Sequence, residues 1–167
     1  MKTLSILRHA KSSWSFPDVA DFDRPLNHRG ERAAPFMGQL IASQGLEPTL
    51  IISSPAVRAK QTALLAKNAG GLKSQLIFDD RIYEASANGL MQVIFGLDDS
   101  IDKAMLVGHN PGLEGLIGTL TGTQIRLPTA GLAVISLDSE WRSVGPSIGV
   151  IQAFYRPKEE MEAVQVS

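Results

Sequence analysis

The sequence of 167 residues contains no cysteine, and this absence excludes a disulfide framework, a thiolate nucleophile and a cysteine-ligated metal site. It also has no apolar run near the roughly 18 residues that a membrane-spanning helix needs. Neither sign of charge dominates, because the sequence has 16 Lys and Arg and 17 Asp and Glu residues, which give a net charge of −1. An electrostatic surface for nucleic acid or an anionic membrane is therefore not expected. The hydrophobic fraction of 44% is typical of a globular protein, which we expect in the cytoplasm.

Nothing in the composition divides the chain, so we predict a single domain over residues 1–167. The N-terminus has neither a long apolar stretch nor a small-residue cleavage site, and it is predicted as a strand rather than a signal peptide. The C-terminal segment Pro157–Ser167 has few residues to bury, and we expect it to fray. The oligomeric state cannot be read from the sequence.

Short apolar runs alternate with longer helical patterns, which indicates an α/β architecture with a mostly parallel sheet. Several of these runs are continuously apolar, as expected for strands covered on both faces. The predicted strands are Thr3–Leu7, Leu50–Ser53, Gln75–Phe78, Ala104–Val107, Leu132–Leu137 and Gly149–Phe154.

Helical patterns fill the intervals between these strands. The first begins near Asn27, a favourable N-cap residue, and contains Pro35, which predicts a kink or a late start. A second helix is predicted over Ala56–Ala69 and a third over Asn88–Leu97. A fourth is predicted from Pro111, with Asn110 as its N-cap.

Cationic and titratable residues follow three of the predicted strands. Arg8 and His9 end the first strand, and Arg58 lies in the first turn of the helix after the second. His109 follows the fourth strand, just before a helix N-terminus. In α/β sheets, ligands bind beyond the carboxyl ends of the strands. The arrangement therefore predicts one site that contains all four residues.

The four residue types suit phosphoryl transfer, which requires positioning and cations around the phosphate oxygens. A neutral His9 is a competent covalent nucleophile, and nearby arginines keep its pKa low. Arg8 and Arg58 can each donate two parallel hydrogen bonds to phosphate. The helix dipole is expected to lower the pKa of His109, and a bound anion would help to hold it protonated as a donor.

The residue that protonates the leaving group stays open in the sequence. Glu84 is one candidate, and Asp18, Asp21 and Asp23 in the loop Lys11–Arg24 are others. That loop is long for a connection without regular structure, which indicates a functional role.

Other loop residues are weaker candidates. Ser12 and Arg24 are candidates for binding phosphate. Trp14 and Phe16 are expected to anchor packing rather than to contact substrate.

Three motifs resemble the histidine phosphatase superfamily, whose fold is called phosphoglycerate mutase-like. They are Leu7-Arg8-His9-Ala10, the segment from Ser53 to Thr62 that reads Ser-Ser-Pro-Ala-Val-Arg-Ala-Lys-Gln-Thr, and Val107-Gly108-His109. The short chain, Asp23-Arg24-Pro25-Leu26 leading to Gly30, and Gly108-His109-Asn110-Pro111-Gly112 resemble its small SixA-like branch of phosphohistidine phosphatases.

The resemblance implies a three-layer α/β/α sandwich in which His9 is the nucleophile and Arg8, Arg58 and His109 bind the phosphate. It implies Glu84 as a candidate acid, neither a metal nor an organic cofactor, and a phosphorylated signalling protein as substrate. The chain departs from the family at Ala10, where glycine is usual. It also has Ser15 where mutase-type members often carry a phosphate-contacting asparagine, which leaves Ser15 as a substrate-binding candidate and favours a phosphatase over a mutase.

Alternatives remain at this point. The chain would also suit a small-molecule phosphomonoesterase of the same superfamily, or an inactive phosphate-binding module. The Asp-x-Asp at Asp21 lacks the preceding apolar strand of a haloacid-dehalogenase-type phosphatase. A zinc site of His9, His28 and His109 is disfavoured by their spacing and by arginine neighbours.

Overall fold

The computed structural model describes residues 1–166 and contains a six-stranded sheet in the order β3-β2-β4-β1-β5-β6. The four strands β3, β2, β4 and β1 run parallel, whereas β5 is antiparallel to both of its neighbours. The strands are β1 (Lys2–Arg8), β2 (Leu50–Ser53), β3 (Gln75–Phe78), β4 (Lys103–Gly108), β5 (Leu132–Leu137) and β6 (Gly149–Tyr155). The helices are α1 (His28–Ser43), α2 (Val57–Gly70), α3 (Ala87–Phe95), α4 (Gly112–Thr121) and α5 (Pro157–Val166).

Helices cover both faces of the sheet, which confirms the predicted three-layer architecture. Helices α1 and α2 pack on one face through residues such as Met37 and Ala63. Helices α3 and α4 pack on the other, through residues such as Ile94 and Leu116. The central strands β2 and β4 are buried on both faces, which explains their continuous apolar sequences.

The register of the parallel strands brings their carboxyl ends into one row. Arg8 of β1 pairs with Gly108 of β4, and Ser53 of β2 pairs with Val107. The chain therefore leaves three neighbouring strands at the same edge of the sheet. This edge is where the site residues of the sequence prediction meet.

Helices α1 and α4 begin close to their predicted starts. Asn27 caps α1 as expected, since its Oδ1 accepts from the backbone N–H of Gly30 at 2.9 Å, and Pro35 lies inside a helix that begins before it. The prediction for α4 was wrong by one residue. Pro111 occupies the N-cap position, and the helix begins at Gly112.

The expectation that the C-terminal segment frays was wrong for Pro157–Val166, which forms α5, and Ser167 lies outside the described residues. Helix α5 packs against α1. Between residues 1 and 166, no helix is both long and apolar enough to cross a membrane.

Candidate active site

Four side chains from three strand ends meet at the carboxyl edge of the sheet, and we call Arg8, His9, Arg58 and His109 the strand-end cluster. The imidazole rings of His9 and His109 lie 5.2 Å apart between centroids. Arg8 and Arg58 are close enough for their positive charges to lower the pKa of both histidines. The structure therefore brings together the four residues that the sequence singled out.

The ring of His9 is buried and held in one tautomer. Its Nδ1 lies 2.7 Å from the carbonyl oxygen of Ala10, and a carbonyl can only accept, so the proton of the neutral ring is on Nδ1. Burial, together with the charges of His109 and the two arginines, lowers the pKa of His9 to about 3. At neutral pH, His9 thus has an unprotonated Nε2 with a free electron pair, as a nucleophile requires.

The backbone around His9 is fixed by two other segments. Thr62 Oγ1 accepts from the Ala10 N–H at 2.9 Å and donates to the Arg58 carbonyl at 2.7 Å. The N–H of Ala130 bonds the carbonyl oxygens of Arg8 and His9, each at 3.0 Å. Thr62 belongs to a motif that the sequence identified, but its link between the backbone beside His9 and Arg58 was missed.

His109 lies beside His9 in a partly buried position. Its Nε2 is 2.8 Å from Ser54 Oγ, and its buried Nδ1 has no hydrogen-bond partner among the described residues. The pKa of His109 is lowered to about 4, first by burial and then by the charge of Arg58. The pKa is therefore lowered, as the sequence predicted, and without an anion His109 is neutral at neutral pH.

Three arginines are held by protein acceptors near this cluster. Arg8 donates to the Leu127 carbonyl at 3.1 Å, and Arg58 donates to the Asp21 carbonyl at 2.7 Å. Arg24 donates to Ser12 Oγ. The Nε atoms of all three are buried without a partner in residues 1–166. Unpaired buried donors are costly, and a tetrahedral oxyanion is the ligand that would satisfy such a set.

Asp21 lies at the centre of this arrangement. Its Oδ2 accepts from Tyr83 Oη at 2.7 Å and from Arg58 at 3.1 Å, and its Oδ1 accepts from Arg24 at 3.1 Å. The Tyr83 hydrogen bond, followed by Arg24 and Arg58, lowers the pKa of Asp21 to about 2. Asp21 is therefore ionised at neutral pH and is poorly suited to protonate a leaving group.

The remaining acid candidates lie in different places. Glu84 lines a cleft of about 480 Å³ together with Arg58, Tyr83 and His109, and its backbone has a positive φ of 58°. A side chain in this left-handed conformation is uncommon, and such conformations cluster at functional sites. Asp18 and Asp23 do not line this cleft, and neither do Arg8 and His9, so the cleft adjoins the strand-end cluster on the side of Arg58 and His109.

The structure also places the weaker candidates of the loop. Ser12 is buried against Arg24 beside the cluster. Ser15 is exposed, and it is not among the cleft-lining residues. The packing role expected for Trp14 and Phe16 was wrong, because these side chains are 77% and 54% exposed.

Several supporting residues were missed by sequence reasoning. Glu114 accepts from the Leu127 N–H at 2.7 Å, and Asn110 donates to the Leu127 carbonyl at 2.9 Å. This carbonyl is the one that holds Arg8. Over residues 1–166, no group of three or more His, Asp or Glu side chains is arranged to hold a metal ion.

Comparison with known proteins agrees with this geometry. Residues 4–93 match the histidine phosphatase superfamily (branch 1). This chain belongs to that superfamily. An uncharacterized protein of Mycobacterium tuberculosis is 30% identical over 164 residues, which cover 91% of this chain and all of that protein.

Solved structures place the histidine phosphatase within the small SixA-like branch. A protein from Agrobacterium tumefaciens, provisionally assigned as phosphohistidine phosphatase SixA, superposes with a TM-score of 0.82 and 29% identity, over 93% of this chain and 98% of that one. A protein histidine phosphatase SixA solved with tungstate also gives a TM-score of 0.82, at 20% identity over 95% of this chain and 99% of that one. At that lower identity the likeness concerns the fold. The chain is accordingly a hydrolase of the phosphatase class.

Proposed function

We propose that this histidine phosphatase hydrolyses phosphohistidine in a signalling protein, such as a histidine-phosphotransfer domain, through a phosphoryl intermediate on His9. The observation that carries the proposal is the state of His9, a neutral ring whose Nδ1–H is tied to the Ala10 carbonyl. This leaves Nε2 as the attacking atom. The His109 ring lies 5.2 Å from the His9 ring, and Arg8, Arg58 and His109 each have a buried nitrogen without a partner among the described residues.

The reaction proceeds in two displacements. His9 Nε2 attacks phosphorus, so that a new N–P bond forms while the bond to the substrate nitrogen breaks, and the departing imidazole takes up a proton from solvent water. A water molecule then attacks phosphorus, the N–P bond to His9 breaks, and inorganic phosphate leaves with His9 neutral again. The arginines stabilise the charge on the phosphate oxygens in both steps.

The acid groups of the site favour nitrogen as the leaving atom. Asp21 is ionised, with a pKa of about 2, and Glu84 is exposed at the rim of the cleft. An imidazole leaving group needs less protonation help than the alkoxide of a phosphate ester. The likeness at 29% identity to a protein provisionally assigned as a phosphohistidine phosphatase points to the same substrate class.

The test compares free phosphohistidine with phosphoserine, without added metal, for the wild type and His9→Ala. We expect kcat/KM to be at least about 100-fold higher for phosphohistidine, and turnover of both compounds to disappear in His9→Ala. Turnover at the wild-type rate in His9→Ala would exclude the covalent route. A preference for phosphoserine would favour a small-molecule phosphomonoesterase instead.

A further inference from the structure

The loop that follows the nucleophile exposes apolar side chains beside the site. Trp14 is 77% exposed, Phe16 54%, Val19 39% and Phe22 37%, and we call these four residues the aromatic patch. Among the described residues ten large apolar residues are exposed, and four of them lie in this one loop. All four lie within nine residues of one loop, and exposed apolar side chains clustered in this way can mark interaction sites in soluble proteins.

Two members of the aromatic patch contact residues that hold Asp21. The guanidinium of Arg24 lies 3.9 Å from the centre of the Trp14 ring, and the Phe22 ring meets the Tyr83 ring edge-on at 5.1 Å. Arg24 and Tyr83 both donate to the Asp21 carboxylate. The patch is therefore continuous with the side chains around the phosphate pocket.

The loop is fixed rather than loosely attached at its ends. The Ser13 N–H bonds the Pro25 carbonyl at 2.8 Å, and Ser12 forms a β-bridge with Leu26. Asp21 ties the far end of the loop to Arg58 of α2. Because the loop is held in place, less ordering entropy opposes binding to the patch.

The cleft alone does not account for the aromatic patch. Trp14 and Phe16 belong neither to the strand-end cluster nor to the residues that line the cleft, so a small phosphorylated compound bound at the cluster would leave both rings exposed. Covering them requires a ligand that extends beyond the phosphate, as a folded protein does. Aromatic side chains at such positions often dominate the binding free energy of protein interfaces.

We infer that the aromatic patch is the docking surface for the protein that carries the phosphohistidine, and that this partner presents apolar side chains beside its phosphorylated histidine. The inference rests on the proposed function. It adds which residues contribute the binding free energy that selects the partner protein. The strand-end cluster binds the phosphoryl group, whereas the patch distinguishes a protein-borne phosphohistidine from the free amino acid.

The test measures kcat/KM on two substrates: a histidine-phosphotransfer domain phosphorylated on its histidine, and free phosphohistidine. Phe16→Ser is the main variant because Phe16 is exposed and belongs neither to the strand-end cluster nor to the residues that line the cleft. Val150→Ser is the matched control, since Val150 is 59% exposed on β6, away from the carboxyl edge. Trp14→Ser provides a second variant in the patch.

We expect Phe16→Ser and Trp14→Ser to lower kcat/KM on the phosphorylated domain by about tenfold each. Phe16→Ser should change kcat/KM on free phosphohistidine by less than about twofold. Val150→Ser should leave kcat/KM unchanged on both substrates. Equal losses on both substrates, or no loss on the domain, would overturn the inference.

Wild-type behaviour separates the two proposals. If wild-type kcat/KM is no higher for the phosphorylated domain than for free phosphohistidine, the inference of a docking surface is wrong, while the proposed function stands. If the wild type hydrolyses neither substrate, the proposed function fails and the inference fails with it.

Discussion

The strand-end cluster and the loop Lys11–Arg24 are neighbours in space, yet they differ in almost every physical property. His9 and Arg58 are buried, each 6% exposed. His9 directly follows β1, and Arg58 lies in the first turn of α2. The loop is irregular, and most of its side chains are exposed. Under the two proposals above, the buried scaffold positions carry the chemistry and the loop carries recognition.

Asp21 is where the two regions meet. Its side chain is 51% exposed, but it accepts hydrogen bonds from Arg58 of the cluster and from Arg24 of the loop. Variants of Asp21 and of the strand-end cluster therefore test whether the cluster and the loop have separate roles.

The largest expected effect concerns the protonation of His9. Burial lowers its pKa from 6.5 to about 3, which corresponds to roughly a thousandfold weaker proton binding. Ring ¹⁵N NMR should show His9 in the neutral Nδ1–H tautomer at pH 6. With only three histidines in the chain, His28→Gln and His109→Gln complete the assignment. A titration midpoint near 6.5 for His9 would mean that the cluster is not buried as described.

Next in size is the loss of an arginine from the cluster. Arg58→Ala should lower kcat/KM by about 10²–10³-fold on free phosphohistidine, because a donor to the phosphate oxygens is lost. Arg58→Lys should recover only part of this loss, since lysine cannot bond Asp21 and phosphate with one planar fork. Lys60→Ala is the control, because Lys60 is exposed two residues further along α2. Equal activity of Arg58→Ala and Lys60→Ala would place Arg58 outside the phosphate site.

Glu84 tests the leaving group. Glu84→Gln should slow hydrolysis of an alkyl phosphate ester by about 10²-fold if Glu84 supplies the proton, but that of phosphohistidine by less than about threefold. The two rates are measured with the same enzyme preparation. An equally large loss on both substrates would show that the phosphoramidate also needs this acid.

The sequence predicted some site residues and not others, depending on whether a residue lies beside a regular hydrophobic pattern. Arg8, His9 and His109 adjoin continuous apolar runs, so their strand-end positions could be predicted. Asp21 could not be ranked above Asp18 and Asp23, because an irregular loop has no periodicity to show which side chain points inward.

Other misses have similar causes. Helix α5 was missed because apolar residues are sparse in Pro157–Val166 and its stability comes from packing on α1. The supporting bonds of Thr62 and Glu114 depend on residues 52 and 13 positions away, which no local pattern reveals.

The smallest expected effect is the contribution of Asp21 to stability. Its pKa falls from 3.8 to about 2 on folding, so the ionised carboxylate stabilises the fold above about pH 4, and this contribution is lost as the pH falls toward 2. Because the side chain is half exposed, we expect Asp21→Asn to cost about 1 kcal/mol at pH 7. The difference from wild type should shrink as the pH falls below about 4 and approach zero only below about pH 2. Urea unfolding across this pH range measures it, and a difference that does not depend on pH would refute the ionic account.

The central claim is that His9 carries the phosphoryl group during turnover. The direct measurement is rapid quench of the wild type with ³²P-labelled phosphohistidine under conditions that avoid acid, followed by peptide mapping. The account predicts an acid-labile, base-stable adduct on residue 9 that is absent from His9→Ala. An adduct on an aspartate or on His109, or full turnover without any labelled protein under single-turnover conditions, would contradict it.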